Sequence, residues 1–152
     1  MKTILTLDLG TRTGWAYRNT AGVISHGVAD FGGKRGEPKG ARFKRFQVWL
    51  DSSPATVLVD RVVYEGVCAH NGVYAAHMWG GWEALLCAWC EANGTPYEDM
   101  GVGTIKKDAT GNGRASKQDV ISAVRAAGFQ PTDDNDADAL AIMLAVTKGE
   151  AR

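Results

Sequence analysis

The sequence has no uninterrupted apolar run near the ~20 residues that a bilayer-spanning helix needs, so a membrane-spanning chain is excluded. It has no internal repeat and no low-complexity segment. The stretch Met1 to Leu7 holds one Lys but no long apolar core and no small-residue cleavage site, so no secretory signal is expected. Cysteine is scarce and odd in number, with Cys68, Cys87 and Cys90. Together these features argue against a disulfide framework and for reduced thiols in a soluble, cytoplasmic protein. Cys87 and Cys90 form a CxxC, yet they lie in the apolar helical stretch Trp82 to Cys90 without a second Cys/His pair at zinc-like spacing. Buried helix cysteines are expected there, not a metal or redox site.

Net charge is also absent, 17 Lys and Arg balancing 17 Asp and Glu. Taken alone, that argues against a nucleic-acid partner, but the charges are segregated. Lys34, Arg35, Lys39, Arg42, Lys44 and Arg45 face Glu37 alone in one segment, and Lys106, Lys107, Arg114 and Lys117 form a second basic group. A surface that grips phosphate beside an acidic metal site needs such a division. For the first cluster standing alone, solvated loop and helix charge would explain it as well.

What is present fits one α/β domain over residues 1–152, a length that buries roughly 70% of the unfolded chain's surface. Thr3 to Asp8 alternates before the glycine-bounded segment Gly10 to Gly14, which reads as a strand breaking into a turn with Asp8 at its carboxyl end. Residues 15–18 and 23–29 read as two further strands joined at Asn19 to Gly22. A Gly-rich loop over 31–40 precedes a helix over 41–50, which Pro54 follows as an interruption. Arg61 to Glu65 reads as a buried strand ending, like the first, in an acid. Residues 73–92 form a long apolar helix closing at Asn93-Gly94, in which Gly80-Gly81 costs about 1 kcal/mol per residue relative to Ala. Two such glycines suggest close approach of another backbone, within the fold or across a dimer. A short strand over 96–100, a helix over 117–126 opened by Ser116 and a final helix over 135–146 complete the order βββαβαβαα.

Three acidic points stand apart in this chain: Asp8, Glu65 and the run Asp133 to Asp138. Acids brought together repel unless a cation compensates, and hard oxygen donors suit Mg²⁺, with Mn²⁺ able to substitute. Two ions can clamp the attacking and leaving oxygens of an in-line phosphoryl displacement. Helix geometry places Asp138 on one face with Asn135 or Asp134 and not with Asp136, because residues two apart are about 200° around the axis. Asp133 or Asp134 can instead cap the helix, and for Asp134 capping and metal binding are equally open. Asp138 sits among Ala137, Ala139, Leu140 and Ala141, an apolar setting in which a charge needs a partner.

Leu7-Asp8-Leu9-Gly10 with Gly14, Tyr64-Glu65, Ile105-Lys106 followed by Gly111-Asn112-Gly113 and Lys117, and Ala137-Asp138-Ala139-Leu140-Ala141 resemble in order and spacing the RuvC Holliday-junction resolvases. The resemblance runs over nearly the whole chain, whose short length is similar to bacterial and phage members. It implies an RNase H-like fold with a central five-stranded mixed sheet, three antiparallel strands followed by parallel ones, flanked by helices. It further implies a dimeric, Mg²⁺-dependent endonuclease with two ions per site that cuts opposed strands of a four-way DNA junction and leaves 5′-phosphate ends. Its location would be the bacterial cytoplasm, or the host cytoplasm for a phage protein. By motif, Asp8, Glu65 and Asp138 correspond to metal ligands, and Lys106 and Lys117 to lysines that meet DNA phosphate or developing charge. Lys107, Arg114, Arg12, Lys34, Arg35 and Arg42 are further candidates for DNA contact.

Two departures qualify the resemblance. The fourth acidic ligand falls at Asn135, so either the Asn135 carbonyl oxygen or Asp134 takes that place. The aromatic three residues after the strand Glu is replaced by Cys68, with His70, Tyr74 or His77 as substitutes. Sugar kinases and related ATPases share the strand followed by Asp-Leu-Gly-Thr, but need two such domains, so no nucleotide cofactor is expected. A nuclease for other branched DNA or RNA/DNA hybrids and a non-catalytic junction binder remain as alternatives.

Overall fold

The computed structural model describes residues 1–53, 56 and 59–151; Pro54, expected to interrupt the chain after the first helix, lies outside them. The elements run β1 (Ile4–Asp8), β2 (Arg12–Arg18), β3 (Ile24–Asp30), α1 (Gly40–Ser52), β4 (Arg61–Gly66), α2 (Val73–Asn93), β5 (Tyr97–Gly101), α3 (Val102–Thr110), α4 (Lys117–Ala126) and α5 (Asp134–Glu150). One sheet carries the strands in the order β3-β2-β1-β4-β5. β1 pairs antiparallel with β2, which pairs antiparallel with β3, whereas β4 is parallel to both β1 and β5. The expected mixed sheet is therefore present.

β1 is central and reads as a continuous buried run because both its faces are covered. Leu5, Leu7, Val62 and Tyr64 pack on one face with Phe46 and Leu50 of α1 and with Met78, Trp82, Leu86 and Cys90 of α2. Aromatic rings dominate that layer, Phe43 lying 4.6 Å and Phe46 5.4 Å from Trp82 between ring centroids. Ile4, Val63 and Ala16 face the other layer, which Ile105 of α3, Val120 and Val124 of α4 and the apolar side of α5 complete. Strand alternation thus sends even positions of β1 and odd positions of β4 toward α5.

Several expectations differ from the observed elements. β2 begins at Arg12, so Gly14 is not part of a turn but sits inside a strand, paired with Asp8. Its reason is steric: a Cβ on Gly14 would lie 1.8 Å from the carbonyl oxygen of Asn135, so the first turn of α5 rests directly on the strand backbone. α3 is an additional helix over residues to which the sequence assigned no element. It opens without a side-chain cap and ends in left-handed Gly111 (φ 85°). The Gly80-Gly81 pair divides: a Cβ on Gly81 would lie 2.5 Å from the Phe43 ring, so that glycine serves packing within the fold. Gly80 has nothing within 4 Å of that position. Cys87 and Cys90 lie on α2, half-buried and buried respectively, and among the described residues all three cysteines are free.

Among the described residues no helix is long and apolar enough to cross a membrane. α4 opens with a reciprocal capping box, Ser116 accepting from the Asp119 N–H while Asp119 accepts from the Ser116 N–H. α5 is capped by Asp133, whose Oδ1 accepts the Asp136 N–H at 3.0 Å. These caps fix the two helix starts that border the acidic site.

Candidate active site

Leu7 of β1 pairs with Tyr64 of β4, so Asp8 and Glu65 are the next neighbours along two parallel strands. Both side chains point to the face covered by α5, because Thr6 and Val63 point there two residues earlier. The Thr6 hydroxyl donates to the Ala139 carbonyl at 2.8 Å, docking α5 with Asp138 one residue away. Asp8, Glu65 and Asp138, drawn from separate parts of the chain, therefore border one another at a single sheet end.

Their electrostatics record that proximity. Burial, followed by repulsion from Asp138 and Glu65, pushes the Asp8 carboxyl up to about 8. Burial also raises Asp138 to about 6, with Lys117 opposing the shift and Asp134 adding to it. Glu65 is raised by burial and by Asp138, while Lys106 and Lys117 draw it down. Two lysines thus share a field with the three acids. Lys117 stands at the start of α4, where its Nζ donates to Asp134 Oδ2 at 2.5 Å, an exposed pair that raises the Lys117 pKa and lowers that of Asp134.

The acid run at the start of α5 separates into distinct tasks. Asp133 caps the helix and accepts from Arg12, so the capping role open to Asp134 belongs to its neighbour. Asp134 faces Lys117 and raises the pKa of both Asp8 and Asp138. Asn135 lies with its carbonyl against Gly14. Asp136 is fully buried on another side of the helix, accepting from His26 Nδ1 at 2.9 Å and from the Thr132 N–H at 2.8 Å and hydroxyl at 3.1 Å. Sequence reasoning missed His26, because a lone histidine in an alternating strand carries no signal of a contact 110 residues away.

Hard carboxylate oxygens of this kind suit Mg²⁺ or Mn²⁺, and the mutual repulsion they carry is what a cation relieves. Among the described residues, however, no three His, Cys, Asp or Glu side chains are placed so that they could together hold a metal ion. The acids share a field without sharing a coordination sphere. The chemistry of the donor set nevertheless fits the ion.

The remaining basic candidates are spread around this end and beyond. Lys107 and Arg114 are exposed on α3 and on the turn after it. Arg12 donates to Asp30 at 3.0 Å and to Asp133 at 2.9 Å, so its charge is already paired. Lys34 and Arg35 are exposed in the loop before α1. Arg45 staples that loop by donating to Glu37 and to the carbonyl oxygens of Phe31 and Gly32. Arg42 lines a groove of about 340 Å³ with Gly10, Thr11, His70, Tyr74 and Trp79. His70 and Tyr74 therefore meet beside the β1 end, and His77 is exposed on α2 outside the groove lining.

Compared with models of known protein families, the chain matches none. It is 33% identical over 150 residues to the crossover junction endodeoxyribonuclease RuvC of Nitratidesulfovibrio vulgaris strain Hildenborough, an alignment covering 92% of this chain and 88% of the relative. The protein of the same name from strain DP4 matches at the same identity and coverage. Among solved structures, Thermus thermophilus RuvC in complex with a Holliday junction substrate superposes with a TM-score of 0.77 at 21% identity, covering 95% of this chain and 92% of that one. The yeast mitochondrial Holliday junction resolvase Ydc2 superposes with a TM-score of 0.65 at 14% identity, over 97% of this chain and 78% of that one. The two superpositions bear on the fold, which is of the RNase H-like type.

Proposed function

Because the chain belongs to the RuvC family of crossover junction endodeoxyribonucleases, we propose that it resolves four-way DNA junctions by metal-dependent hydrolysis of two opposed strands, leaving 5′-phosphate ends. The observation that carries this reading is the meeting of Asp8, Glu65 and Asp138 at one sheet end, where Asp138 raises the pKa of both Asp8 and Glu65 and Glu65 raises that of Asp8, with Lys117 and Lys106 in the same field.

Asp8, Glu65 and Asp138 would hold Mg²⁺, with Mn²⁺ able to substitute and two ions per site. The carboxylate of Asp134 is better supported than Asn135 as a fourth ligand, since its charge already acts on Asp8 and Asp138. When bound, the ions supply activation of the attacking water and neutralisation of charge on the leaving oxygen. Lys117 and Lys106 present ammonium groups where negative charge grows on the phosphate. Lys107, Arg114, Lys34, Arg35 and Arg42 would add contacts to the DNA backbone, and Arg12 would do so only by releasing a carboxylate. His70 and Tyr74 would stand in for the missing aromatic at Cys68, since both line the groove beside Arg42.

Two coordinated incisions call for a homodimer, and α2 is the helix we assign to it. Val73, Tyr74, His77, Ala84 and Ala88 are exposed there, and Gly80 leaves room for a second backbone. Gly80→Leu is expected to leave the fold of the single chain intact, since helix propensity favours Leu by under about 1 kcal/mol, while sedimentation shifts from dimer to monomer. A Gly80→Leu protein that remains dimeric would remove α2 from the interface.

The deciding experiment is cleavage of a synthetic four-way junction with mapped product ends. Symmetric nicks with Mg²⁺ or Mn²⁺ and little cutting of linear duplex are expected. Equal cutting of duplex would overturn the resolvase reading, and preference for an RNA/DNA hybrid or another branched DNA would reassign the substrate. Tight junction binding without cutting in any divalent ion would leave a non-catalytic binder, the alternative that Asn135 in place of a fourth acid keeps open.

A further inference from the structure

α5 presents its acids to the site only in one rotational setting about its own axis. Carboxylates on a helix lie about 6 Å from that axis, so a turn of about 20° carries them roughly 2 Å. Metal coordination tolerates about 0.2 Å. The hold on that rotation is therefore part of the site's construction.

Beside the Thr6 bond to the Ala139 carbonyl, the backbone contact of Asn135 with Gly14 and the exposed Lys117–Asp134 pair, the contacts at the start of α5 are of two kinds. The Asp133 cap and the Thr132 donors come from residues adjoining the helix, so they move with it. Arg12 reaches Asp133 from β2, but that pair is largely exposed and therefore weak. The contact between β3 and Asp136 is different: His26 Nδ1 donates to both carboxylate oxygens, at 2.9 and 3.0 Å, and the acceptor is fully buried. The His26 ring is itself seated edge-on against Phe129 at 5.9 Å. Asp136 lies two residues from both Asp134 and Asp138, about 200° around the axis from each. A grip on Asp136 thus sets both acids from the far side of the helix.

We infer that His26 is a positioning residue for the metal site: its Nδ1–H bond to the buried Asp136 carboxylate locks the rotation of α5 that aims Asp138 and Asp134 at Asp8 and Glu65. Apolar packing would hold a helix on a sheet as firmly as a buried polar pair, whereas a directional hydrogen bond selects one orientation. The inference rests on the proposed metal site, and its test separates the two.

Mn²⁺ is titrated calorimetrically into the metal-free full chain, with junction binding measured in EDTA. His26→Phe keeps a ring against Phe129 and removes the donor; its Mn²⁺ dissociation constant should rise about 10-fold with junction affinity unchanged. His26→Asn places an amide N–H where Nδ1 lies and should restore most of the Mn²⁺ affinity, which a purely packing role would not produce. If His26→Phe is unfolded at the assay temperature, Phe129→Leu, which removes the ring that seats His26 and keeps the Nδ1–H donor, should give a smaller shift in the same direction. Equal Mn²⁺ affinity in wild type and His26→Phe, or an equal loss in His26→Phe and His26→Asn, would overturn the inference. Asp8→Asn is the control: if it too binds Mn²⁺ like wild type, or wild type binds none, the metal site itself is wrong.

Discussion

Asp8→Asn will bind a four-way junction within about threefold of wild type and cleave it at least about a thousandfold more slowly, because in the proposed site it removes a metal ligand. The same substitution will raise the Tm of the metal-free protein, by about 5 °C if even part of the unfavourable charge is relieved. The sign follows from the site. The folded Asp8 carboxyl titrates at about 8 against 3.8 for the free group. Between those values the native chain holds a proton that the unfolded chain has released, so stability falls as pH rises from about 4 to about 8. Asp138, at about 6, acts in the same direction over the lower part of that window. Mg²⁺ should reverse the trend in wild type and not in Asp8→Asn. Melting curves at pH 5 and 8, with and without Mg²⁺, will check this; a variant less stable than wild type at pH 8 without metal would show that Asp8 is not held against its own charge.

Gly14→Ala carries the second large effect. The added methyl would lie 1.8 Å from the Asn135 carbonyl oxygen, a backbone atom that cannot turn aside, and α5 must lift from β2. Overpacking of this kind costs about 3 kcal/mol, roughly 8 °C in Tm for a chain of this size. Cleavage should fall by at least about a hundredfold even at temperatures where the variant is folded, since Asp138 and Asp134 ride on the displaced helix. Circular dichroism melts paired with single-turnover cleavage will test it. Wild-type cleavage rates would mean that the first turn of α5 does not set the acids.

Most of the sheet was legible because strand alternation and buried β-branched runs are local signals. Arg61 to Glu65 is an example, and the helix at 117–126 was legible from its Ser116 cap. The acids at positions 8 and 65 were visible as strand-end carboxylates, and the pairing of β1 with β4 was not needed to find them. What stayed hidden depends on contacts distant in sequence. Gly14 reads as a turn glycine until the Asn135 carbonyl is placed against it. Gly80 and Gly81 look alike in sequence, yet one meets Phe43 and the other meets nothing. α3 escaped notice because its single buried anchor is Ile105 and glycines stand within and after it, leaving little periodicity to read. Asp136 could be placed off the face of Asp138 by helix geometry, but its partner His26 could not be named.

The staple of Arg45 on Glu37, Phe31 and Gly32 bears on how the loop before α1 would meet a polyanion in the proposed complex. A basic segment free to wander loses conformational entropy when it settles on phosphate, and that loss subtracts from affinity. Here one arginine is withheld from the ligand and turned inward as a tether, so Lys34 and Arg35 are displayed from a frame that is already set. Fewer positive charges on a fixed scaffold can match a larger number on a loose one, which is consistent with a protein that carries no net charge.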